Sequence, residues 1–215
     1  MLLHRLPVRR LLVGHLLVRH LPSRHLPARP CQGVTLIELL VVITLLGLLL
    51  GLAMPSFATW TRAAQVRTAS DALQSGLRHA QAEAVRLNRQ VVFFRTGSTA
   101  CNNTINSSAS GNYWALRTVP LLVGEDAEAL QCGALTETTA NVGITGPEVL
   151  CFNSAGRQTA NGNPGVGGAA CTVPAAGTNT YVLTAPGSDR TLNVTVSLGG
   201  RVRMCLVSGA GTEAC

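Results

Sequence analysis

The sequence predicts an α+β fold in which one long N-terminal helix, half membrane-length and half amphipathic, packs on an antiparallel β-sheet. Three observations predict it. An almost unbroken apolar run extends from Val34 to Met54, interrupted by one carboxylate, Glu38. A stretch of helical period then follows Pro55 and reaches about residue 90. Beyond it the pattern changes to short β-branched and aromatic runs between loops rich in Gly, Asn and Ala. Strand after strand behind a single helix points to an antiparallel sheet. The roughly 125 residues after the helix are enough for one core, not two.

The apolar run comes first. Val34 to Met54 is a stretch of 21 residues, about 31 Å of helix at about 1.5 Å per residue, which matches a bilayer hydrocarbon core of about 30 Å. An ionised Glu inside such a segment costs on the order of 2.5–3.5 kcal/mol on insertion scales, which makes Glu38 a functional candidate by default. Gly47 and Gly51 form a small-x-x-x-small pair that either permits close helix approach or simply loosens the helix. At Pro55 a kink or local break is expected.

The next segment, 55–90, carries its apolar residues Phe57, Trp60, Ala64, Leu73, Leu77, Ala80, Ala84 and Leu87 mostly three or four apart. Charged residues occupy much of the remainder, the pattern of a helix laid on a sheet. His79 reads as a surface residue of this helix. Strands are expected at Val91–Phe94, Tyr113–Leu116, Val149–Phe152, Tyr181–Leu183, Thr191–Val196 and Arg201–Leu206. The loops from Cys101 to Gly111 and from Gln158 to Gly177 are poor in core-forming residues.

Charge and cysteine are both distorted by residues 1–33, a Pro-broken tract with six Arg and four of the five His. It reads as a cytoplasmic leader that is removed, or as an upstream stretch included by a misplaced start. Its positive charge favours a cytoplasmic N-terminus and sends the remainder across the membrane. Without it 182 residues remain (215 − 33), with 11 Arg (17 − 6) against 10 acidic residues. The net charge drops from +7 to +1 (11 − 10), so the basic excess does not argue for nucleic acid.

Six cysteines also remain: Cys101, Cys132, Cys151, Cys171, Cys205 and Cys215. An even count, no Cys-x-x-Cys and a single His favour disulfides over zinc. Of the many pairings possible, Cys205 with Cys215 is preferred, leaving 101–132 and 151–171. No metal is expected: Glu125, Asp126 and Glu128 read as a solvated turn rather than a calcium site. The chain has no Lys, no phosphate loop and no catalytic triad, so neither an enzyme nor a cofactor is expected.

Gly33-Val34-Thr35-Leu36-Ile37-Glu38-Leu39 closely resembles the prepilin cleavage motif of type IV pilins and type II secretion pseudopilins. The resemblance implies that a prepilin peptidase cuts between Gly33 and Val34 and methylates the amine of Val34. Glu38, Gly47 and Pro55 then fall at mature positions where pilins commonly have those residues; Val34 stands where Phe is usual. The freed amine of one subunit would pair with Glu38 of a neighbour, giving a register device for assembly. The alternative is a Glu that reaches the headgroups from a helix end.

Phe152-Asn153-Ser154-Ala155-Gly156-Arg157 and Gly199-Gly200-Arg201-Val202-Arg203-Met204-Cys205 resemble the GspH/FimT group of minor pilins and pseudopilins. The resemblance implies a type IV pilin-like fold and a single-pass protein of the bacterial inner membrane, with 91–215 as a periplasmic β-rich part. It implies sister pilins and an inner-membrane assembly platform as partners. Some members bind DNA through a Gly-Arg-x-Arg element, and Gly200-Arg201-Val202-Arg203 fits it. In a strand Arg201, Arg203 and Cys205 would share one face, with Val202, Met204 and Leu206 turned to the core. Two such guanidiniums suit the phosphates of double-stranded DNA, with help from Arg157 and Arg190, or else are simply a solvated polar face.

Overall fold

The computed structural model of the chain describes residues 33–207, apart from 123 and 137–140. The chain divides into two compact units after Leu46. One helix, α1 (Leu36–Leu87), begins in the first unit and ends in the second. In the first unit its apolar side chains, from Leu36 to Leu46, are exposed. By length and composition α1 is long and apolar enough to cross a membrane.

The expected break at Pro55 does not occur, since α1 is continuous through it. Proline removes one intrahelical donor, the one that would serve the carbonyl of Gly51. The Leu- and Ala-rich turns on either side are strong enough formers to carry the helix past it. The helix ends at Leu87, and Asn88 reverses the chain at φ 51° into the first strand.

Among the described residues nine strands follow: β1 (Val91–Thr96), β2 (Tyr113–Thr118), β3 (Ala129–Ala134), β4 (Gly143–Thr145), β5 (Val149–Phe152), β6 (Gln158–Thr159), β7 (Thr178–Thr184), β8 (Thr191–Ser197) and β9 (Val202–Val207). They form two antiparallel sheets rather than one. Sheet A has the order β3-β2-β1-β5-β6, and sheet B has the order β4-β7-β8-β9. Three strands, β3, β4 and β6, go beyond the expected set. They are short or rich in Gly, Ala and Gln, and their neighbours rather than their own side chains make them strands.

The helix packs through Val66, Ala69, Leu73, Leu77, Ala80 and Ala84, spaced three and four apart. Against them lie Phe93, Trp114, Leu116, Leu150 and Phe152 of sheet A, and Tyr181, Leu183, Val194, Val196 and Val202 of sheet B. Gly76 allows the close approach, because a Cβ there would stand 3.0 Å from the Trp114 ring. Phe57 and Trp60, expected in this stripe, are instead 64% and 66% exposed. They lie upstream of the helical turns that the sheets cover.

A second core lies on the other face of sheet A, contrary to the expectation of one. The alternation along β1 shows it: Val91 and Phe93 face the helix, and Val92 and Phe94 face away, yet all four are fully buried. The outer pair packs with Ala115, Val149, Ile105 and Val166, the last two from the long loops read as poor in core formers. Two disulfides hold those loops down. Cys101 is joined to Cys132 and Cys151 to Cys171, the two pairings preferred from the sequence. The remaining preferred pair involves Cys215, which lies outside the described residues.

Arg117 fastens the same two loops. It is 3% exposed, lies 5.1 Å from the Phe94 ring centroid, and donates to the carbonyls of Ile105 (2.8 Å), Asn102 (3.3 Å) and Gly165 (2.8 Å). Among the described residues no carboxylate pairs with it, and burial lowers its pKa from the ordinary value. Three carbonyls therefore take the place of a counter-ion.

On the helix side of β1, Arg95 plays a related part between the sheets. It donates to the carbonyls of Ile144 in β4 (2.9 Å) and of Gly111 (3.3 Å). The buried Tyr181 hydroxyl has no hydrogen-bond partner among the described residues. Burial raises its pKa well above the ordinary value, with the Arg95 charge opposing.

Candidate functional site

Two places carry the residues singled out from the sequence. At the first, Thr35 precedes α1 and its Oγ1 accepts the N–H of Glu38 at 3.3 Å. Thr35 is thus the N-cap and Glu38 the third helical residue, the spacing of a capping box. Being in the first turn eases the charge of Glu38, since the positive end of the helix dipole favours an acid there. The Glu38 carboxylate has no partner among the described residues. Thr35 was legible in the pattern Thr-x-x-Glu, but its capping role is seen only once the helix start is placed. Gly33, Gly47 and Gly51 have open space where a Cβ would stand, so no steric demand in the described structure requires glycine at these positions. The leader expected over 1–33 falls, except for Gly33, outside the described residues.

The second place is the turn from β8 into β9 and the edge strand that follows. Arg201 and Arg203 are exposed on one side, and Val202 is buried on the other with Met204 half-buried. Leu206 departs from the expected alternation, being 44% exposed. The sheet's burial of inward positions fades toward the end of β9, an edge strand with a neighbour on one side only.

Gly200 has a structural reason of its own. Its φ is +86°, and a Cβ there would run into the carbonyl of Gly156 and the side-chain amide of Gln81. The same Gln81 amide donates to the Gly156 carbonyl at 2.9 Å. The Asn153–Arg157 turn, the Gly200 turn and the helix therefore meet at one point. Gln158 completes the junction by donating its backbone N–H to the Leu198 carbonyl at 3.0 Å.

Arg157, next to that junction, is brought to the same end of the molecule as Arg201. Arg190 is not, because it sits at the far end of β8, about 20 Å of strand away. A residue that sequence reasoning counted only as helix surface joins instead. Arg78 reaches from α1 to the Val202 carbonyl (3.5 Å), the residue between the two exposed arginines. No periodicity could reveal this, because the contact spans 124 residues.

Among the described residues no group of three or more His, Cys, Asp or Glu is placed to hold a metal ion. Glu125 turns back on its own loop, accepting the N–H groups of Leu121 (2.7 Å) and Leu122 (3.2 Å) and pairing with Arg89 at 2.6 Å. These contacts, the Leu121 N–H first, lower its pKa from the ordinary carboxylate value.

Residues 28–54 match the family defined by the prokaryotic N-terminal methylation motif. No curated protein matches the chain. Among solved structures it is similar to the type IV minor pilin FimU of Pseudomonas aeruginosa, at 18% identity and a TM-score of 0.43, over 67% of this chain and 91% of that one. It is also similar to EpsH, the minor pseudopilin of the Vibrio cholerae type 2 secretion system. Here identity is 12% and the TM-score 0.42, over 66% of this chain and 96% of that one. The methylation motif thus stands at the head of a long helix, with antiparallel sheets behind it.

Proposed function

We propose that the chain is a minor pilin or pseudopilin, a structural subunit cut by prepilin peptidase between Gly33 and Val34 and methylated on Val34. It enters a pilus or pseudopilus through α1, at or near the tip, alongside sister subunits and from an inner-membrane assembly platform. Its β-rich part then faces the periplasm. The observation that carries this reading is Glu38, the one charge in an exposed apolar helix start, immediately after the motif glycine. A new amine on Val34 of a neighbour supplies the missing counter-charge, and Gly47 and Pro55 shape the helix that packs in the filament. Glu38→Val removes the charge and keeps the helix. The variant should be cut normally but disappear from the sheared filament fraction, read by immunoblot against the membrane fraction. Incorporation at the wild-type level would show that Glu38 is no assembly device.

A second reading concerns double-stranded DNA, and the exposure of Arg201 and Arg203 on one side of β9, with Arg78 beside them, supports it. Three cations give a log–log salt slope of about 2.7 on duplex DNA. Each arginine replaced by Ala should lower that slope by about one. A slope unchanged in the Arg201→Ala/Arg203→Ala protein would place the contact elsewhere.

A further inference from the structure

The strand register sets a hydroxyl beside each exposed arginine. Across the outer face of sheet B, Thr180 pairs with Thr195 and Thr195 with Arg203. One step along, Thr178 pairs with Ser197, whose N–H donates to the Arg201 carbonyl at 3.0 Å. The result is two parallel rows, each running hydroxyl, hydroxyl, guanidinium. Neighbours within a row are about 4.8 Å apart and the rows about 6.7 Å apart.

Among the described residues the strands of this face offer donors and no competing anion. None of β4, β7, β8 or β9 contains an acidic residue. The Ser197 hydroxyl accepts the N–H of Arg201 at 3.1 Å, which leaves its own proton to donate outward. The Thr195 hydroxyl takes no part in the hydrogen bonds of the described fold. Tyr181, the only aromatic residue of sheet B, is buried, so no ring is offered for a base to stack on.

We propose that this outer face is a phosphodiester-binding surface, in which Arg203 acts with Thr195 and Arg201 with Ser197 on the two free oxygens of successive phosphates. The inference rests on the DNA reading of Arg201 and Arg203 and extends it from the edge strand across the sheet. A guanidinium supplies charge, and the adjacent hydroxyl fixes the orientation of the phosphate that the charge attracts. With only backbone groups recognised, sequence does not matter. The strand of nucleic acid then runs parallel to β8 and β9, each phosphate seated between the two strands.

The test uses the chain processed at Gly33–Val34, in detergent, with a fluorescent duplex at several salt concentrations. Thr180→Val/Thr195→Val keeps side-chain shape and every charge. Its affinity should be about fivefold to tenfold weaker at an unchanged salt slope. Thr195→Ser should bind as the wild type does, and thermal melts verify that each variant is folded. A Val variant that binds as tightly as wild type, while Arg201→Ala/Arg203→Ala has lost binding, overturns the hydroxyl rows and leaves the arginine reading standing. A folded wild-type protein that binds no DNA overturns both. Displacement of the DNA by a soluble phosphatidylglycerol, sensitive to the same substitutions, would reassign the surface to lipid phosphate.

Discussion

Replacing the four cysteines of the two described disulfides by Ser is expected to destabilise the β-rich part by about 7 kcal/mol. The bridges close loops of 31 and 20 residues. In the chain-entropy view each such loop restricts the unfolded chain by about 3.5 kcal/mol. A domain is typically stable by about 5–15 kcal/mol, so this loss takes much or all of its stability. If the protein stays folded, its melting temperature falls by roughly 20 °C. The damage should also be uneven. Loops 97–112 and 160–177 come away and expose Val92 and Phe94, whereas neither of the two replaced bridges lies in the helix-facing core. Hydrogen exchange at β1 and β2 reads this directly, and a drop of only a few degrees with β1 still protected would refute it.

Arg117→Ala is expected to cost about 3–5 kcal/mol, a large effect for one residue with no ion pair. The substitution leaves the carbonyls of Ile105, Asn102 and Gly165 without a donor in a buried place. Each such orphan costs about 1–3 kcal/mol where water cannot replace the lost bond. It also opens space over Phe94, which lies 5.1 Å beneath the guanidinium. Arg117→Lys keeps the charge but offers a point rather than a fork, so it should recover only part of the loss. Urea unfolding of the three proteins measures this order, and a loss below 1 kcal/mol in Arg117→Ala would mean that water fills the site. Because Arg117 and the disulfides fasten the same loops, their effects should be strongly non-additive.

The helix and most long strands were legible because period and composition act locally there. Leu73, Leu77, Ala80 and Ala84 announce a buried stripe, and β8 shows its alternation in Leu192, Val194 and Val196. What stayed hidden depends on partners distant in the chain. β6 has two residues and exists because Cys151 and Phe152 pair with it. The second core draws single residues, Ile105 and Val166, from loops whose composition is otherwise polar and small. Arg95 and Arg117 look in the sequence like the exposed ends of strands, and only folding shows that carbonyls surround them. At the candidate sites, Arg201 and Arg203 were singled out by the resemblance of Gly200-Arg201-Val202-Arg203 to a Gly-Arg-x-Arg element. Arg78 and the hydroxyls of Thr195 and Ser197 required the register.

The exposed Val34 at the head of α1 has a practical consequence when set beside the chain's composition. The sequence contains no lysine, so the proposed cleavage after Gly33 would make the α-amine of Val34 the single primary amine of residues 34–215. An amine-selective dye therefore labels one atom. Its reaction rate becomes a direct reporter of whether that nitrogen is bare, methylated, or held against the carboxylate of a neighbour in the filament.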